Sequence, residues 1–184
     1  MQITTSNAEV VLKLLLPIHS RELFYLADAN RTHLREWFSW VDRTTSEADT
    51  QQFIQSCLAK LSGMTGFNYG IWYKNKLVGV LEVHDWNHAL YRAELGYWLS
   101  KEATGKGIMT HAVQGLIDYL FQELPIQALE IRCAVRNKKS QQVAIRCGFQ
   151  LEGKIRQGTI TSSGFEDVFL YNLLQEDWIN HTDT

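Results

Sequence analysis

The sequence predicts a single α/β domain with a mixed sheet (α+β in layering), because strand-patterned and helix-patterned segments follow in the order β-α-α-β-β-β-α-β-α-β-β. Three strand-like runs between Phe67 and Ser100 are joined by connections too short for helices, which makes them an antiparallel meander. After them helix and strand alternate before a closing hairpin, so the sheet is mixed rather than a regular βαβ array. No linker, low-complexity run or internal repeat divides the 184 residues, 45% of them apolar, so one core and one domain, residues 1–184, are expected.

From the N-terminal side, Val10 to Leu16 reads as the first strand. Pro17 then opens a helix to about Ala29, in which Leu23, Leu26 and Ala27 recur at helical spacing. A second helix fits Ser46 to Leu61, with Ser46 as its cap, Phe53, Ile54, Cys57, Leu58 and Leu61 on one face, and Gly63 ending it. Between these helices Trp37, Phe38 and Trp40 crowd together, either packed against the sheet or forming the wall of a substrate groove.

Phe67 to Tyr73 and Lys76 to Trp86 follow as strands around a tight turn at Lys74-Asn75, and Tyr91 to Ser100 is the fourth strand. Ala112, Leu116, Ile117 and Leu120 place a helix from Gly107 to about Phe121, closed by Pro125. Leu129 to Val135 is the fifth strand, and Lys138 to Cys147 a helix stopped by Gly148. Phe149 to Ile160 and Phe165 to Leu174 then pair around Ser162-Ser163-Gly164.

A formal net charge of −2, with no basic run interleaved with aromatics, argues against nucleic acid as a ligand. The N-terminal residues lack the basic start and apolar run of a signal peptide, and no apolar stretch approaches ~18 residues, so a soluble, cytoplasmic protein with no membrane partner is expected. Cys57, Cys133 and Cys147 are odd in number and far apart, as buried free thiols of a reducing compartment would be. The six histidines are scattered without metal-ligand spacing, so no metal is expected.

The segment Thr104-Gly105-Lys106-Gly107-Ile108-Met109 leads from a strand into a helix. Unpaired amides at a helix N-terminus and the positive end of its dipole attract an anion, and glycine lets a phosphate approach the backbone; Lys106 adds a charge. The same two glycines also serve a plain turn. Neither G-x-x-x-x-G-K-[ST] nor a complete G-x-G-x-x-G is present, which argues against a nucleoside triphosphatase or a Rossmann dehydrogenase.

The stretch GYWLSKEATGKGIMTHAV, the pair Asn137 and Ser140, the run Gly148-Phe149-Gln150-Leu151-Glu152-Gly153 and the early segment Trp37-Phe38-Ser39-Trp40-Val41-Asp42 together resemble the RimJ/RimL branch of the GNAT superfamily, over nearly the whole chain. The resemblance implies the GNAT fold, acetyl-coenzyme A as cosubstrate, a primary amine as acceptor, a protein N-terminus of the ribosomal-protein type foremost, and a homodimer. Of the family loop pattern [QR]-x-x-G-x-[GA], Gly107 matches, whereas Thr104 and Met109 depart from it. The resemblance lays the pantetheine arm between the fourth and fifth strands, along Trp98, Leu99 and Ser100. It makes Ser140 the hydroxyl that meets the leaving thiolate and Asn137 a cofactor contact, positions that helix capping also explains. Relatives often carry a glutamate base on the sixth strand, where this chain has Thr159.

Acetyl transfer needs an amine made neutral, an oxyanion stabilised and a thiolate received. Glu94, on the strand lining the cofactor gap, is the candidate base, with His84 and Asp85 as alternatives; pairing with Arg92 or Arg132 is the structural alternative for Glu94. Backbone amides near Leu95, Gly96 and Tyr97 are placed for the oxyanion. Trp37, Trp40 and His84 are the expected groove residues. A small amine as acceptor, or a non-catalytic acyl-coenzyme A-binding module, stays open at this point.

Overall fold

All seven expected strands are present in the computed structural model, which describes residues 2–182: β2 (Val10–Leu14), β3 (Phe67–Tyr73), β4 (Lys76–Asn87), β5 (Arg92–Leu99), β6 (Ala128–Ala134), β7 (Gln150–Thr161) and β8 (Gly164–Leu174). Met1 and residues 183–184 of the expected domain lie outside the described residues. An eighth strand, β1 (Gln2–Thr4), precedes them; three residues with one buried side chain, Ile3, are too few to show a period of two. The strands form one sheet in the order β1-β2-β3-β4-β5-β6-β8-β7.

The helices are α1 (Ser20–Ala29), α2 (Arg31–Arg35), α3 (Glu47–Ser62), α4 (Ile108–Glu123), α5 (Lys138–Arg146) and α6 (Gln175–Thr182). Two corrections concern the first helix and the C-terminal end. Pro17–His19 forms a 3-10 turn ahead of α1, and α6, too polar to show a stripe, docks through the Trp178 ring, 5.6 Å from that of Phe121. At the start of α3 the Ser46 hydroxyl accepts from the Asp49 amide while Asp49 accepts from the Ser46 amide at 2.9 Å, a reciprocal cap. Ile54 and Cys57 face inward as expected, but Phe53, one step round the helix, is exposed on its flank. At the β3–β4 turn Lys74 and Asn75 both take positive φ, +51° and +62°, the turn geometry that matches strand twist.

Helix α4 covers one face of the sheet, where Ala112, Leu116 and Leu120 pack on Leu12, Tyr69, Ile71, Leu81 and Leu95. Helices α1 and α3 cover the other, where Leu23 and Ile54 meet Leu15, Trp72, Leu77 and Val80. Among the described residues no helix is long and apolar enough to cross a membrane.

The feature that positions the site is the junction of β5 and β6. These strands pair in parallel at Arg92↔Ala128, Ala93↔Leu129 and Glu94↔Glu130 only. Beyond that, β5 stays with β4 as far as Leu99 while β6 stays with β8 as far as Ala134. The sheet therefore opens into a wedge from Leu95 onward. Its closed end is held by charge: the buried Glu130 carboxylate is ion-paired to Arg92 and, at 3.2 Å, to Arg132, which also reaches Glu94 at 3.3 Å. A carboxylate buried at such a point requires partners of this kind.

Candidate active site

At the open side of the wedge, the loop before α4 has the geometry of an anion cradle. Gly105 and Gly107 take left-handed φ values of +77° and +74°, which glycine adopts at little cost, and Gly107 caps the helix. Among the described residues, none of the amides of residues 105–110 donates to a backbone carbonyl, and a Cβ built on Gly105 meets nothing within 4 Å. The dipole of a sixteen-residue helix adds to these free donors. Thr104, in place of a longer polar side chain, hydrogen-bonds the Lys101 carbonyl at 2.7 Å and so braces the loop itself. The side chains of Met109 and Ile108 are buried in the core and turned away from the loop surface. Lys106 is exposed beside it.

Along the wedge, Leu99 and Ser100 are buried, and the Ser100 amide donates to Val78 at 2.8 Å, so this backbone is committed to β4 on one edge and open on the other. Leu95, Gly96 and Tyr97 are the first residues of β5 past the last β6 pair, where the expected oxyanion donors fall. Across the wedge, Asn137 caps α5 and its Oδ1 accepts from the Ser140 amide at 3.1 Å. The Tyr97 hydroxyl lies 3.1 Å from Ser140 Oγ and 3.2 Å from the Ser140 carbonyl. Tyr97 was not among the expected side-chain participants; strand alternation shows which way it points, not that α5 lies within its reach. Burial raises the Cys133 thiol to about 11 and the Cys147 thiol to about 12, so both stay protonated near neutrality and neither is a ready nucleophile.

On the α1–α3 face a cavity of about 320 Å³ adjoins the wedge. Leu23 and Ala27 of α1, Thr50 and Phe53 of α3, Phe38, Trp40 and Thr44 of the connection, Val80, Glu82 and His84 of β4, and Gly96, Tyr97 and Trp98 of β5 line it. Trp40 and His84 thus stand where a groove residue was expected, and Trp98 joins them, its ring 5.9 Å from that of Trp40. Trp37 does not: its ring lies 4.3 Å under the Arg136 guanidinium, which also pairs with Glu36 and Glu166. Arg136 draws that indole away from the cavity and ties the aromatic segment to β8.

The β4–β5 register explains the cavity floor. Val80 faces Trp98, Glu82 faces Gly96 and His84 faces Glu94. Gly96 leaves a notch: a Cβ there would come within 3.3 Å of His84 Nε2 and 3.4 Å of Glu82 Cγ. Glu94 itself does not line the cavity. It stands behind His84, with Oε1 3.9 Å from Nε2, while Asp85, at a left-handed φ of +49° in a β-bulge, places a carboxylate 2.9 Å from Nδ1. Burial raises the pKa of Glu94, against the opposing pull of His84 and then Arg132. The ligand-type atoms of His84, Asp85 and Glu94 all lie within 4.8 Å of one another, a convergence that the linear spacing of the histidines does not show. Thr159 pairs with Glu166 across β7 and β8, and that carboxylate is held by Thr161 and Arg136, so it does not replace the missing base.

The site thus combines a sheet opened between parallel neighbours, two left-handed glycines at the mouth of the opening and an aromatic cavity behind it. The acetyltransferase (GNAT) domain profile matches residues 11–150, and the chain belongs to that family. It is 32% identical over 153 residues to the ribosomal-protein-serine acetyltransferase of Escherichia coli strain K12, covering 83% of this chain and 86% of the relative. Its fold superposes with a TM-score of 0.90 on RimL, a ribosomal L7/L12 alpha-N-protein acetyltransferase solved with coenzyme A, at 27% identity, covering 94% of this chain and 97% of the other. It superposes with a TM-score of 0.87 on the microcin C7 self-immunity acetyltransferase MccE, solved with acetyl-coenzyme A and AMP, at 30% identity and with 91% and 93% covered. The protein is an acetyl-coenzyme A-dependent N-acetyltransferase.

Proposed function

We propose that this chain acetylates the N-terminal amine of a protein by direct attack on the thioester. The observation that carries this reading is the Gly96 notch, where an aromatic cavity fit for an amine meets the point at which β5 leaves β6. At about 320 Å³ the cavity sits at the small end of ligand sites, roughly 300–1,000 Å³, which suits one terminal residue rather than a folded surface. The relatives described above, one acting on a ribosomal-protein serine and one on an alpha-amine, support that acceptor.

The donor supplies an acetyl thioester whose carbonyl oxygen gains charge on attack. The loop amides of residues 105–110 hold its pyrophosphate, and the open edge of Trp98, Leu99 and Ser100 holds its arm, with Asn137 at the far side. The amides near Leu95, Gly96 and Tyr97 receive the oxyanion. His84 takes the proton of the acceptor, its ring held by Asp85 at Nδ1 with Glu94 behind Nε2. The Ser140 hydroxyl, oriented by Tyr97, donates to the departing sulfur. Replacing Ser140 by alanine is expected to lower kcat/KM by about 10²-fold with little change in the KM for acetyl-coenzyme A, as steady-state kinetics would read.

The acceptor is tested by supplying acetyl-coenzyme A with peptides that begin in serine or alanine and with small amines, and following thiol release and product mass. Peptides acetylated at the α-amine at least tenfold more efficiently than any small amine support the proposal. Preference for a small amine, or donor binding with no transfer to any of these acceptors, overturns the proposal. We further place the protein in the cytoplasm as a homodimer. The support for pairing is β7, the sheet's edge strand, which exposes Leu151, Ile155 and Ile160 beside Phe165.

A further inference from the structure

The cavity has a polar end to which the transfer chemistry assigns no role. Glu82, on its wall, hydrogen-bonds the amide of buried Asn68 at 3.1 Å, and among the described residues no lysine or arginine forms an ion pair with it. Its directly opposite neighbour on β5 is Gly96, which places no side chain over the carboxylate. The remaining wall is aromatic, with Phe38, Trp40 and Trp98, whose ring faces attract cations.

We propose that Glu82 forms the recognition end of this cavity for the aminoacyl end of a chain, its carboxylate receiving the primary ammonium. This rests on the reading of the cavity as the acceptor chamber. An ammonium held by Glu82 lies across the Gly96 notch from His84, the group that takes its proton, so binding and deprotonation fall to neighbouring side chains. Glu82 sets which acceptors enter; it is a binding residue, not the base.

The test uses the coenzyme A-saturated protein, in which no acetyl group is present to react, titrated with alaninamide and with its deaminated counterpart propionamide. The titration is run at a pH below the amine's pKa, roughly 7.7–8.0, so that the ammonium dominates. Tryptophan fluorescence is the readout, because Trp40 and Trp98 lie in the wall. Alaninamide is expected to bind about tenfold more tightly than propionamide, the difference a charge-assisted hydrogen bond makes. In Glu82→Gln, which keeps an oxygen for Asn68, that preference is expected to vanish while coenzyme A affinity stays unchanged. An undiminished preference in Glu82→Gln, or none in the wild type, overturns the proposal. Since no turnover is required, failure of acetyl transfer on every acceptor would strike the proposed function and leave this result standing.

Discussion

Replacing His84 by glutamine is expected to lower kcat/KM for the acceptor by about 10²–10⁴-fold, the range that general-base catalysis spans. The imidazole lines the cavity, faces the Gly96 notch and is flanked by the carboxylates of Asp85 and Glu94. Glutamine keeps polar contacts there but takes no proton. The loss should fall on kcat, with the KM for acetyl-coenzyme A and the melting temperature nearly unchanged, as kinetics and calorimetry would read. Glu94→Gln should cost less, because Glu94 acts through the imidazole, and it should change the pH profile. Burial holds the Glu94 carboxyl above its ordinary range, so it is neutral in acid and becomes charged as pH rises through that raised pKa. Wild-type activity should therefore rise across that interval, and Glu94→Gln should lack this part of the acid limb. An unchanged kcat in His84→Gln would send the proton by another route.

Gly105→Asp is expected to raise the dissociation constant of coenzyme A by about 10²–10³-fold while leaving the protein as stable as before, or slightly more so. Aspartate tolerates the left-handed φ of +77° better than most residues, and nothing lies within 4 Å of the new Cβ. A carboxylate near a helix N-terminus stabilises by about 0.3–1 kcal/mol. The same carboxylate repels a pyrophosphate: two like charges some 4–6 Å apart at an effective dielectric of about 20 cost roughly 3–4 kcal/mol. Opposite signs in stability and affinity separate an anion cradle from a plain turn. Gly105→Asn, of equal shape and no charge, is the control, and it should bind coenzyme A nearly normally.

Most of the fold was legible because its signals are local. Ser46 and Asp49 cap α3 within one turn, Lys74-Asn75 fixes a two-residue turn, and the stripe of Ala112, Leu116 and Leu120 has the helical period. Strand β1 and helix α6 were not legible, since three residues and a polar segment carry no periodicity. The turn into α4 could be read from Gly105 and Gly107, because their left-handed φ values are ones glycine adopts at little cost. The cavity could not, because it is made by register: Gly96 faces Glu82 and Glu94 faces His84 across β4 and β5, and a one-residue slip would have buried a different set. Strand alternation names Glu94 as a candidate base with His84 and Asp85 as alternatives, and only the register shows that His84 lines the cavity with Glu94 behind it. Trp37 and Trp40 look alike in sequence, but Arg136, a hundred residues on, turns Trp37 aside.

Amide hydrogen exchange of the wild-type protein, with and without saturating coenzyme A, tests most directly whether the free amides of residues 105–110 and the β5–β6 wedge hold the donor. The amides of residues 105–110 are expected to become protected when coenzyme A binds, together with the open edge of residues 95–100, and Gly105→Asp is expected to lose this protection at the same coenzyme A concentration. Saturating binding that leaves the amides of residues 105–110 exchanging as in the free protein would contradict that role.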